Sequence, residues 1–359
     1  MAGNIFWLKY FLPISPSHPI YLLFFITARC MGRCEHCFYW KELNQPKKEL
    51  SLEEIEKISK NMGKLLQLTI TGGEPLLRED LKQAFKIFYQ YNRPFNLGLA
   101  TSGFYPEKLE KLAQWVLENL KESNFTIGLP IEGPKEINDK IRGVEGFFDR
   151  TVESVFRLRE LKKRFSKLTI LIDITASSYN QDYLEQTYYL VRDELKPDLI
   201  NLIIIRGEPK KKEAKNLNPE KIEKAIKLLE KEAREGKIKG YGFYSRLLLA
   251  KDNLLRRVAL EIFEGKRPRL RCEAGRLVGV IYPEGDVYPC ELLDMPLGSL
   301  REVDYDIRKI WRSAQAKKAR QWIKKNHCRC YHQCFLSPSL FFDPLYLPLL
   351  IKEYLAISR

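Results

Sequence analysis

The first 205 residues alternate between short apolar runs and longer segments with helical spacing. The apolar runs are β-rich and mostly unbroken, and they predict six strands at residues 20–26, 65–71, 96–101, 125–130, 168–175 and 199–205. Helices are predicted between them at residues 52–62, 81–91, 106–120, 148–162 and 184–195. This alternation is typical of parallel strands joined by crossover helices. We therefore expect an α/β fold built on a partial (β/α)6, TIM-like barrel.

The second half of the chain has a different composition. Residues 210–269 are rich in Lys and Glu with helical apolar spacing, residues 272–334 contain five of the eight cysteines, and the last residues are rich in Phe, Leu and Pro. We expect an apolar N-terminal segment (1–18), the barrel (19–209), a helical connection (210–269), a small cysteine-rich domain (270–335) and an apolar tail (336–359).

Charge and composition narrow the class of protein. Lys and Arg number 61 against 46 Asp and Glu, a net charge of +15, but the basic residues are interleaved with Glu as on solvated helix faces. We therefore expect no nucleic-acid partner. The longest apolar runs, 20–26 and 345–351, are far shorter than the ~20 residues of a membrane-spanning helix. Eight cysteines in a long chain without a secretory leader favour a cytoplasmic protein.

Three cysteines follow the first predicted strand within one loop. Cys30, Cys34 and Cys37 are separated by three residues and then by two. A [4Fe-4S] cluster needs one ligand for each iron, so three thiolates would leave one iron open to a substrate or cofactor. The alternative is a closed zinc site in which His36 or another cysteine is the fourth ligand.

Polar and glycine residues also follow the other predicted strands. The C-terminal ends of parallel barrel strands meet at one mouth, where such folds assemble their active sites. Glycines after the second strand would let the backbone approach a ligand closely. The alternative for each of these residues is a turn, a cap or a salt bridge. The segments are 71–75 after the second strand, 101–103 after the third, Asn180 after the fifth and Arg206 after the sixth.

The cysteine spacing, followed by Phe38, closely resembles the signature of the radical S-adenosylmethionine (SAM) enzymes. Residues 71–75 resemble their GGEP motif, and residues 101–103 resemble their Thr-Asn-Gly, with Ser102 where asparagine is usual. Residues 139–146 resemble the Asp-x-x-Arg-Gly-x-x-Gly segment of members with an additional cluster domain. The resemblance implies a [4Fe-4S] cluster on Cys30, Cys34 and Cys37.

The resemblance also implies how SAM is bound and used. Glu74 is expected to bind the methionine amino group, and Arg206 is expected to pair with the carboxylate. One electron, from a donor such as ferredoxin or flavodoxin, cleaves SAM into methionine and a 5′-deoxyadenosyl radical that abstracts a substrate hydrogen. The residues expected to contact SAM or substrate are Gly72, Gly73, Glu74, Pro75, Thr101, Ser102, Asn180 and Arg206.

The five C-terminal cysteines form a second group. Residues 272–290 contain a predicted hairpin and, with the later cysteines, resemble the auxiliary-cluster extensions called SPASM and twitch domains. Five thiols suffice for one further [4Fe-4S] cluster. We expect its ligands to be Cys272, Cys290, Cys330 and Cys334. Cys328 is then left over, either as a packed thiol or as a catalytic hydrogen-atom donor, and a zinc site with His327 and His332 is the alternative.

The substrate is left open by the sequence. A peptide or protein side chain, a sugar or small alcohol, and a lipid all remain candidates. The apolar ends either cover the barrel or make peripheral contact with a membrane. Two rival classes need no SAM pocket: a non-catalytic iron–sulfur electron carrier or cluster scaffold, and a zinc-dependent nucleic-acid binder.

Overall fold

The computed structural model describes residues 16–238, 240, 245–326, 328 and 330–357. Most of the predicted N-terminal segment and the zinc-ligand candidate His327 lie outside the described residues.

Six parallel strands form one continuous part of the sheet, each strand paired with the next along the chain. Every predicted strand is present, with ends that differ from the prediction by at most two residues, and the predicted α/β partial barrel is confirmed. The strands are β1 (Tyr21–Thr27), β2 (Gln67–Gly72), β3 (Asn96–Ala100), β4 (Asn124–Pro130), β5 (Leu168–Ala176) and β6 (Leu199–Ile204).

Helices connect these strands and continue after them. The first of them begins with a capping box, in which Ser51 and Glu54 each accept a hydrogen bond from the other's backbone N–H. The barrel helices are α1 (Leu52–Lys60), α2 (Leu81–Asn92), α3 (Pro106–Asn119), α4 (Lys135–Arg142), α5 (Phe147–Lys162) and α6 (Leu184–Leu190). The later helices are α7 (Pro219–Arg234), α8 (Ser245–Phe263), α9 (Ile307–Arg312), α10 (Ala314–Lys325), α11 (Gln333–Phe341) and α12 (Leu347–Ala356).

The cysteine-rich region extends the barrel sheet. Strand β7 (Val278–Ile281) pairs in parallel with β1, and β8 (Asp286–Tyr288) and β9 (Gly298–Ser299) follow as antiparallel strands. The predicted hairpin is therefore β7–β8, and β1 has a neighbour on both sides. Because the C-terminal region also covers one face of β1, nearly all of that strand is buried, which explains its unbroken apolar run.

Strands β4 and β5 show a different burial pattern. Buried and half-buried residues alternate along both, because one face packs against the helices and the other lines the inside of the open barrel. The inner face includes Thr126 and Gly128 on β4 and Asp173 on β5. The inner face of these two strands therefore carries polar and small residues that remain partly accessible.

The C-terminal helices pack against α8 but leave apolar side chains exposed. In the described part of the chain no single helix is long and apolar enough to span a membrane. Together, α11 and the segment 344–356 have sufficient length and apolar composition, but the two helices are bent by 80° relative to each other. Peripheral membrane contact stays a prediction. The most exposed apolar residues are Leu345, Leu347, Leu349, Ile351 and Leu355.

Candidate active site

The first three cysteines lie in the loop that leaves β1. A Cβ atom placed on Gly32 would be 3.4 Å from the sulfur of Cys34 and 3.5 Å from that of Cys30, so these two thiols turn towards the same point. Asn44 fixes the start of the loop, since its amide accepts from the Cys30 N–H and donates to the Cys30 carbonyl, each at 2.9 Å. The third thiol, Cys37, interacts electrostatically with Cys34. This donor set fits a [4Fe-4S] cluster with three protein ligands.

Helix α4, which the strand and helix pattern did not predict, supports this loop. The N–H groups of Arg33 and Glu35 donate to the carbonyls of Arg142 and Ile141 at 3.0 and 2.9 Å, which satisfies the C-terminal end of the helix. Gly143 follows at φ 67°, and any side chain there would collide with the backbone of Arg33. The predicted 139–146 segment therefore buttresses the cysteine loop.

Asp139 completes this support by joining α4 to α5. Its carboxylate accepts from the N–H groups of Gly146 and Phe148 at 2.8 and 2.7 Å. These are unpaired donors at the start of α5, where an acidic group is favourable.

Arg142 connects the cysteine loop to a buried carboxylate. Its guanidinium donates to the sulfur of Cys34 at 3.6 Å and forms an ion pair with Glu132, whose other oxygen accepts from the Thr175 N–H at 2.7 Å. Burial raises the pKa of Cys37 to about 11, and the positive charge of Arg142 acts in the opposite direction. Arg142 thus favours the thiolate form that an iron ligand requires.

Glu74 is the centre of a second set of contacts. Its side chain is fully buried, and it accepts from the Leu76 N–H at 2.9 Å, from the Thr101 hydroxyl at 2.7 Å and from the Ser102 N–H at 2.8 Å. The Ser102 hydroxyl also donates to it. Serine therefore occupies the predicted position and binds the predicted carboxylate directly.

The GGEP turn packs directly on the cysteine loop. A Cβ atom on Gly73 would overlap the carbonyl oxygen of Arg29 and lie 2.9 Å from the Cβ of Cys30. The N–H of Glu74 donates to the same carbonyl at 2.8 Å. Gly72 ends β2, and Pro75 begins the 3₁₀ turn Pro75–Leu77. Two motifs more than 30 residues apart are therefore in contact.

Asn180 is buried within its own loop. Its amide oxygen accepts from the Ser177 N–H at 2.7 Å, and its nitrogen donates to the carbonyls of Glu132 and Thr175 at 2.7 and 3.0 Å. In this structure the side chain shapes the strand end, and its contact with SAM or substrate stays a prediction.

Arg206 lies between the two groups of cysteines. Its guanidinium is 4.9 Å from the centre of the Phe38 ring and 3.9 Å from the carboxylate of Glu291. Burial raises the pKa of both Cys37 and Cys330 to about 11, and the charge of Arg206 opposes this rise at both thiols. Its Nε atom is buried without a hydrogen-bond partner among the described residues, so it can still donate to a ligand.

Four cysteines of the second group interact with one another electrostatically. Cys272 and Cys328 share a hydrogen bond, which lowers the pKa of the Cys328 thiol and raises that of Cys272. The charge of Cys330 acts on Cys272, and both Cys328 and Cys330 act on Cys290. A set of four thiols fits a [4Fe-4S] cluster.

Cys334 has other electrostatic neighbours than these four thiols. It is an exposed residue in the first turn of α11, and the charged groups that act on its thiol are Glu291, Arg206 and Asp173. The expected ligand set included Cys334 and left Cys328 over. Cys328 shares a hydrogen bond with Cys272, and the choice of the four thiols that bind the cluster stays a prediction.

Neither of the two zinc-ligand candidates among the described histidines, His36 and His332, contacts a thiol in a zinc site. His36 lies 3.7 Å from the carboxylate of Glu132, and His332 is buried in contact with the carboxylate of Glu291. Across the described ranges, no three His, Cys, Asp or Glu side chains converge closely enough for a single metal ion. Both histidines are directed to carboxylates, whereas the zinc alternative assigned them to thiols.

Several buried carboxylates were not predicted from the sequence. Glu132 follows β4, Glu291 directly follows Cys290, and Asp173 lies within the apolar run of β5. Burial raises the pKa of Asp173 to about 6, although Asn201 donates to it at 3.0 Å. An acidic residue inside an apolar strand was a usable signal for Asp173, because buried charges are rare without a partner or a function.

Two family models match the chain, and together they span more than half of it. Residues 24–182 match the Radical SAM superfamily, and residues 272–335 match SPASM, an iron–sulfur cluster-binding domain. The first match contains the cysteine loop, the GGEP turn and Ser102. The second contains all five C-terminal cysteines.

Individual proteins agree with these matches. An AdoMet-dependent heme synthase of Methanosarcina barkeri is 26% identical over 304 residues, which are 81% of this chain and 81% of the relative. A cysteine-type anaerobic sulfatase-maturating enzyme of Clostridium novyi is 24% identical, covering 74% of this chain and 71% of the relative.

A solved structure has the same fold. The structure of anSMEcpe with bound AdoMet superposes with a TM-score of 0.61 at 19% identity, over 95% of this chain and 100% of that one. The family models place both cysteine groups in domains that bind [4Fe-4S] clusters. The chain therefore belongs to the radical SAM superfamily and carries a C-terminal SPASM domain.

Proposed function

We propose that the protein reductively cleaves SAM and uses the resulting radical to abstract hydrogen from a substrate held in the barrel. The observation that carries this proposal is the contact between the GGEP turn and the cysteine loop at Gly73. It fixes the Glu74 carboxylate beside the three thiols. When bound, a [4Fe-4S] cluster supplies the electron that splits SAM into methionine and the 5′-deoxyadenosyl radical.

The protein's own residues bind and orient SAM. Glu74 presents a carboxylate to the SAM ammonium, and Thr101 and Ser102 prevent it from rotating away. Arg206 keeps a free N–H donor for a carboxylate on SAM or on the substrate. Enzymes of this kind control cofactor chemistry by such positioning and by excluding competing reactions.

We assign the second cluster to Cys272, Cys290, Cys328 and Cys330. Three segments supply these thiols: the chain before β7, the end of the β8 strand, and the connection from α10 to α11. Their mutual interactions support this set, which differs from the expected one in containing Cys328 in place of Cys334.

For the substrate we propose a peptide or protein side chain, which the sulfatase-maturating relative supports. A haem precursor is a second candidate, because the heme synthase relative covers more of both chains. Arg142 and Arg206 at the barrel mouth also favour the haem precursor, because arginines bind carboxylates such as those of a porphyrin in a bidentate manner.

Anaerobic reconstitution followed by SAM and dithionite tests the proposal. We expect equal amounts of 5′-deoxyadenosine and methionine. An electron carrier or scaffold would retain its iron and leave SAM intact. Adding either a cysteine-containing peptide or an iron porphyrin then separates the substrate classes, because the true class should accelerate 5′-deoxyadenosine formation and gain a mass change.

A further inference from the structure

The last helix, α12, and the turn before it expose apolar side chains to solvent. Six of the eleven large apolar side chains that are exposed in the described chain lie between residues 345 and 355. The other five lie singly, at positions 40, 95, 156, 183 and 322. Single exposed apolar residues are normal, whereas a concentration of them marks an interaction surface. The six are Leu345, Leu347, Leu349, Ile351, Tyr354 and Leu355.

The acidic group of α12 points inwards, opposite to the usual arrangement of a surface helix. The two buried residues of this helix are Leu350 and Glu353. The Glu353 carboxylate accepts from Arg234 at 2.9 Å, from Arg257 at 2.8 Å and from Asn253 at 2.8 Å. Helices at the surface of soluble proteins normally bury an apolar stripe and expose their charges. These ion pairs with α7 and α8 therefore fix α12 with its apolar side chains outwards.

The exposed side chains form a convex surface. Leu347, Ile351 and Leu355 follow one another at four-residue spacing, so they lie along one line of the helix, which we call the apolar ridge. With about 3.6 residues per turn, Leu349 and Tyr354 lie on opposite sides of this ridge. The exposed surface thus extends over more than half of the helix circumference, a shape that suits a soft partner better than a flat protein surface.

The charges beside the apolar ridge are positive. Between residues 344 and 357 the only acidic residue is the buried Glu353, and Lys352 is exposed among the apolar side chains. At the end of the helix, the Arg246 guanidinium donates to the carbonyls of Tyr354 and Leu355 at 2.7 and 3.3 Å and lies 4.4 Å from the centre of the Tyr354 ring. Apolar residues bordered by Lys, Arg and Tyr are typical of helices that lie in the interface of an anionic bilayer.

We propose that α12 is a membrane-docking helix that inserts the apolar ridge into the surface of a bilayer containing anionic lipids. Helix α11 stays with the protein, because Phe335, Leu336 and Leu340 are buried in its hydrophobic core. The chain therefore lies on the membrane and does not cross it. Docking of this kind does not require SAM cleavage, so its failure would leave the proposed function standing.

A second copy of the chain is a less suitable partner for the apolar ridge. A two-fold interface places the same surface patch of both subunits in contact. It would bring Lys352 and Arg246 of one copy towards the same cations of the other. The nearest preceding acid in the sequence, Asp343, already accepts from the Leu345 N–H at 3.0 Å. An anionic bilayer supplies the negative charge that these cations lack.

Co-sedimentation of the full chain with vesicles tests this assignment. One set of vesicles contains phosphatidylcholine alone, and the other contains equal parts of phosphatidylcholine and phosphatidylglycerol. Wild type should bind the anionic vesicles more tightly. Leu355→Glu should lower that binding about tenfold or more, because the leucine can no longer be buried in the acyl region. Phe156→Glu is the matched control and should bind like wild type, since it makes the same change at a single exposed apolar residue of α5.

Lys352→Gln separates the contribution of charge from that of the apolar ridge. It should weaken binding to the anionic vesicles about fivefold and leave binding to phosphatidylcholine unchanged, because each basic residue near an anionic surface contributes a factor of this order. Equal binding of wild type to both sets of vesicles would overturn the assignment to anionic lipids.

Ile351→Glu repeats the test one turn away from Leu355. Both side chains are exposed, so both variants should keep the melting temperature and the iron content of wild type. Vesicle binding by both variants equal to that of wild type would overturn the docking role of α12. Failure of wild type to bind either set of vesicles would also overturn it, and an oligomer of wild type that Leu355→Glu dissociates would then assign the apolar ridge to a second copy of the chain.

Discussion

The two cysteine groups are assembled in different ways. The first occupies eight residues of one loop, between Cys30 and Cys37, and backbone hydrogen bonds from α4 and the GGEP turn hold that loop. The second extends from Cys272 to Cys334, and its thiols meet only because the sheet extension and the connection from α10 to α11 return to the same place.

This difference determines how far each site depends on the rest of the fold. The close spacing of three cysteines in one loop keeps their thiols near one another, although α4 and the GGEP turn support that loop. The second site requires β7 to pair with β1 and α11 to dock on β6. We therefore expect the first site to tolerate damage to the second better than the reverse.

The largest expected effect is on the first site itself. Replacing Cys30, Cys34 and Cys37 together by alanine should abolish SAM cleavage, because no ligand for the first cluster remains. Iron should fall from about eight to about four per chain, since each cluster contains four irons. The measurements are iron content and 5′-deoxyadenosine after anaerobic reconstitution.

Loss of all iron in this triple variant would contradict the independence of the two sites. The matched control is Cys272→Ala, which should lower iron to about four while leaving SAM binding by Glu74 in place.

A smaller effect is expected from Glu74→Gln. The carboxylate accepts four hydrogen bonds, including those from Thr101 and Ser102, and an amide replaces one acceptor oxygen by a donor. SAM affinity should fall about tenfold or more, because a hydrogen bond to a charged group contributes about 1.5–3 kcal/mol. Equilibrium dialysis of the reconstituted protein against SAM measures this change.

Glu79→Gln is a suitable control, since Glu79 is exposed five residues further along the same segment. Equal SAM affinity in wild type and Glu74→Gln would remove Glu74 from the binding site. Loss of iron in Glu74→Gln would instead assign the carboxylate to the support of the cluster loop.

The sequence was sufficient to predict the barrel strands, because their apolar runs reflect burial in a parallel sheet. Helix α4 was not predicted, because its eight residues contain few apolar positions and lie between a strand end and a longer helix. The junction of β7 with β1 was also unpredictable, because pairing between strands 250 residues apart leaves no local pattern.

The same distinction applies to the sites. The contact of Glu74 with Thr101 and Ser102 follows from the meeting of neighbouring strand ends. The choice between Cys328 and Cys334 as a cluster ligand depends on where α11 begins, because a one-turn change in that helix start would move either thiol. Spacing between cysteines therefore cannot decide which four thiols bind the cluster.

A substitution at the junction between the barrel and the SPASM domain should have a weaker effect than the two changes above. Arg301 donates to both oxygens of Glu54 on α1 at 2.9 and 3.1 Å and to the Glu284 carbonyl at 2.6 Å. Arg301→Lys removes the paired hydrogen bonds to Glu54, because lysine has no planar pair of donors. The free energy of unfolding should fall by about 1–3 kcal/mol, in the range for hydrogen bonds to charged groups.

Chemical denaturation and limited proteolysis measure this effect. Arg312→Lys is the control, as Arg312 is exposed on the same domain. If Arg301→Lys and Arg312→Lys are equally stable, the junction does not depend on Arg301, and the second site is less dependent on distant contacts than the comparison implies.

The smallest effect is the acid sensitivity of this junction. The hydrogen bond from Arg301 lowers the pKa of Glu54 from about 4.5 to about 2. Because the folded state binds this proton less readily than the unfolded state, the stabilisation is complete above about pH 5 and is lost as the pH falls towards 2. Glu54→Gln should cost on the order of 1 kcal/mol at neutral pH, as expected for a partly exposed ion pair. The difference in melting temperature between wild type and Glu54→Gln should shrink from pH 6 to pH 3.5, whereas a constant difference would show that Glu54 acts through packing and not through its charge.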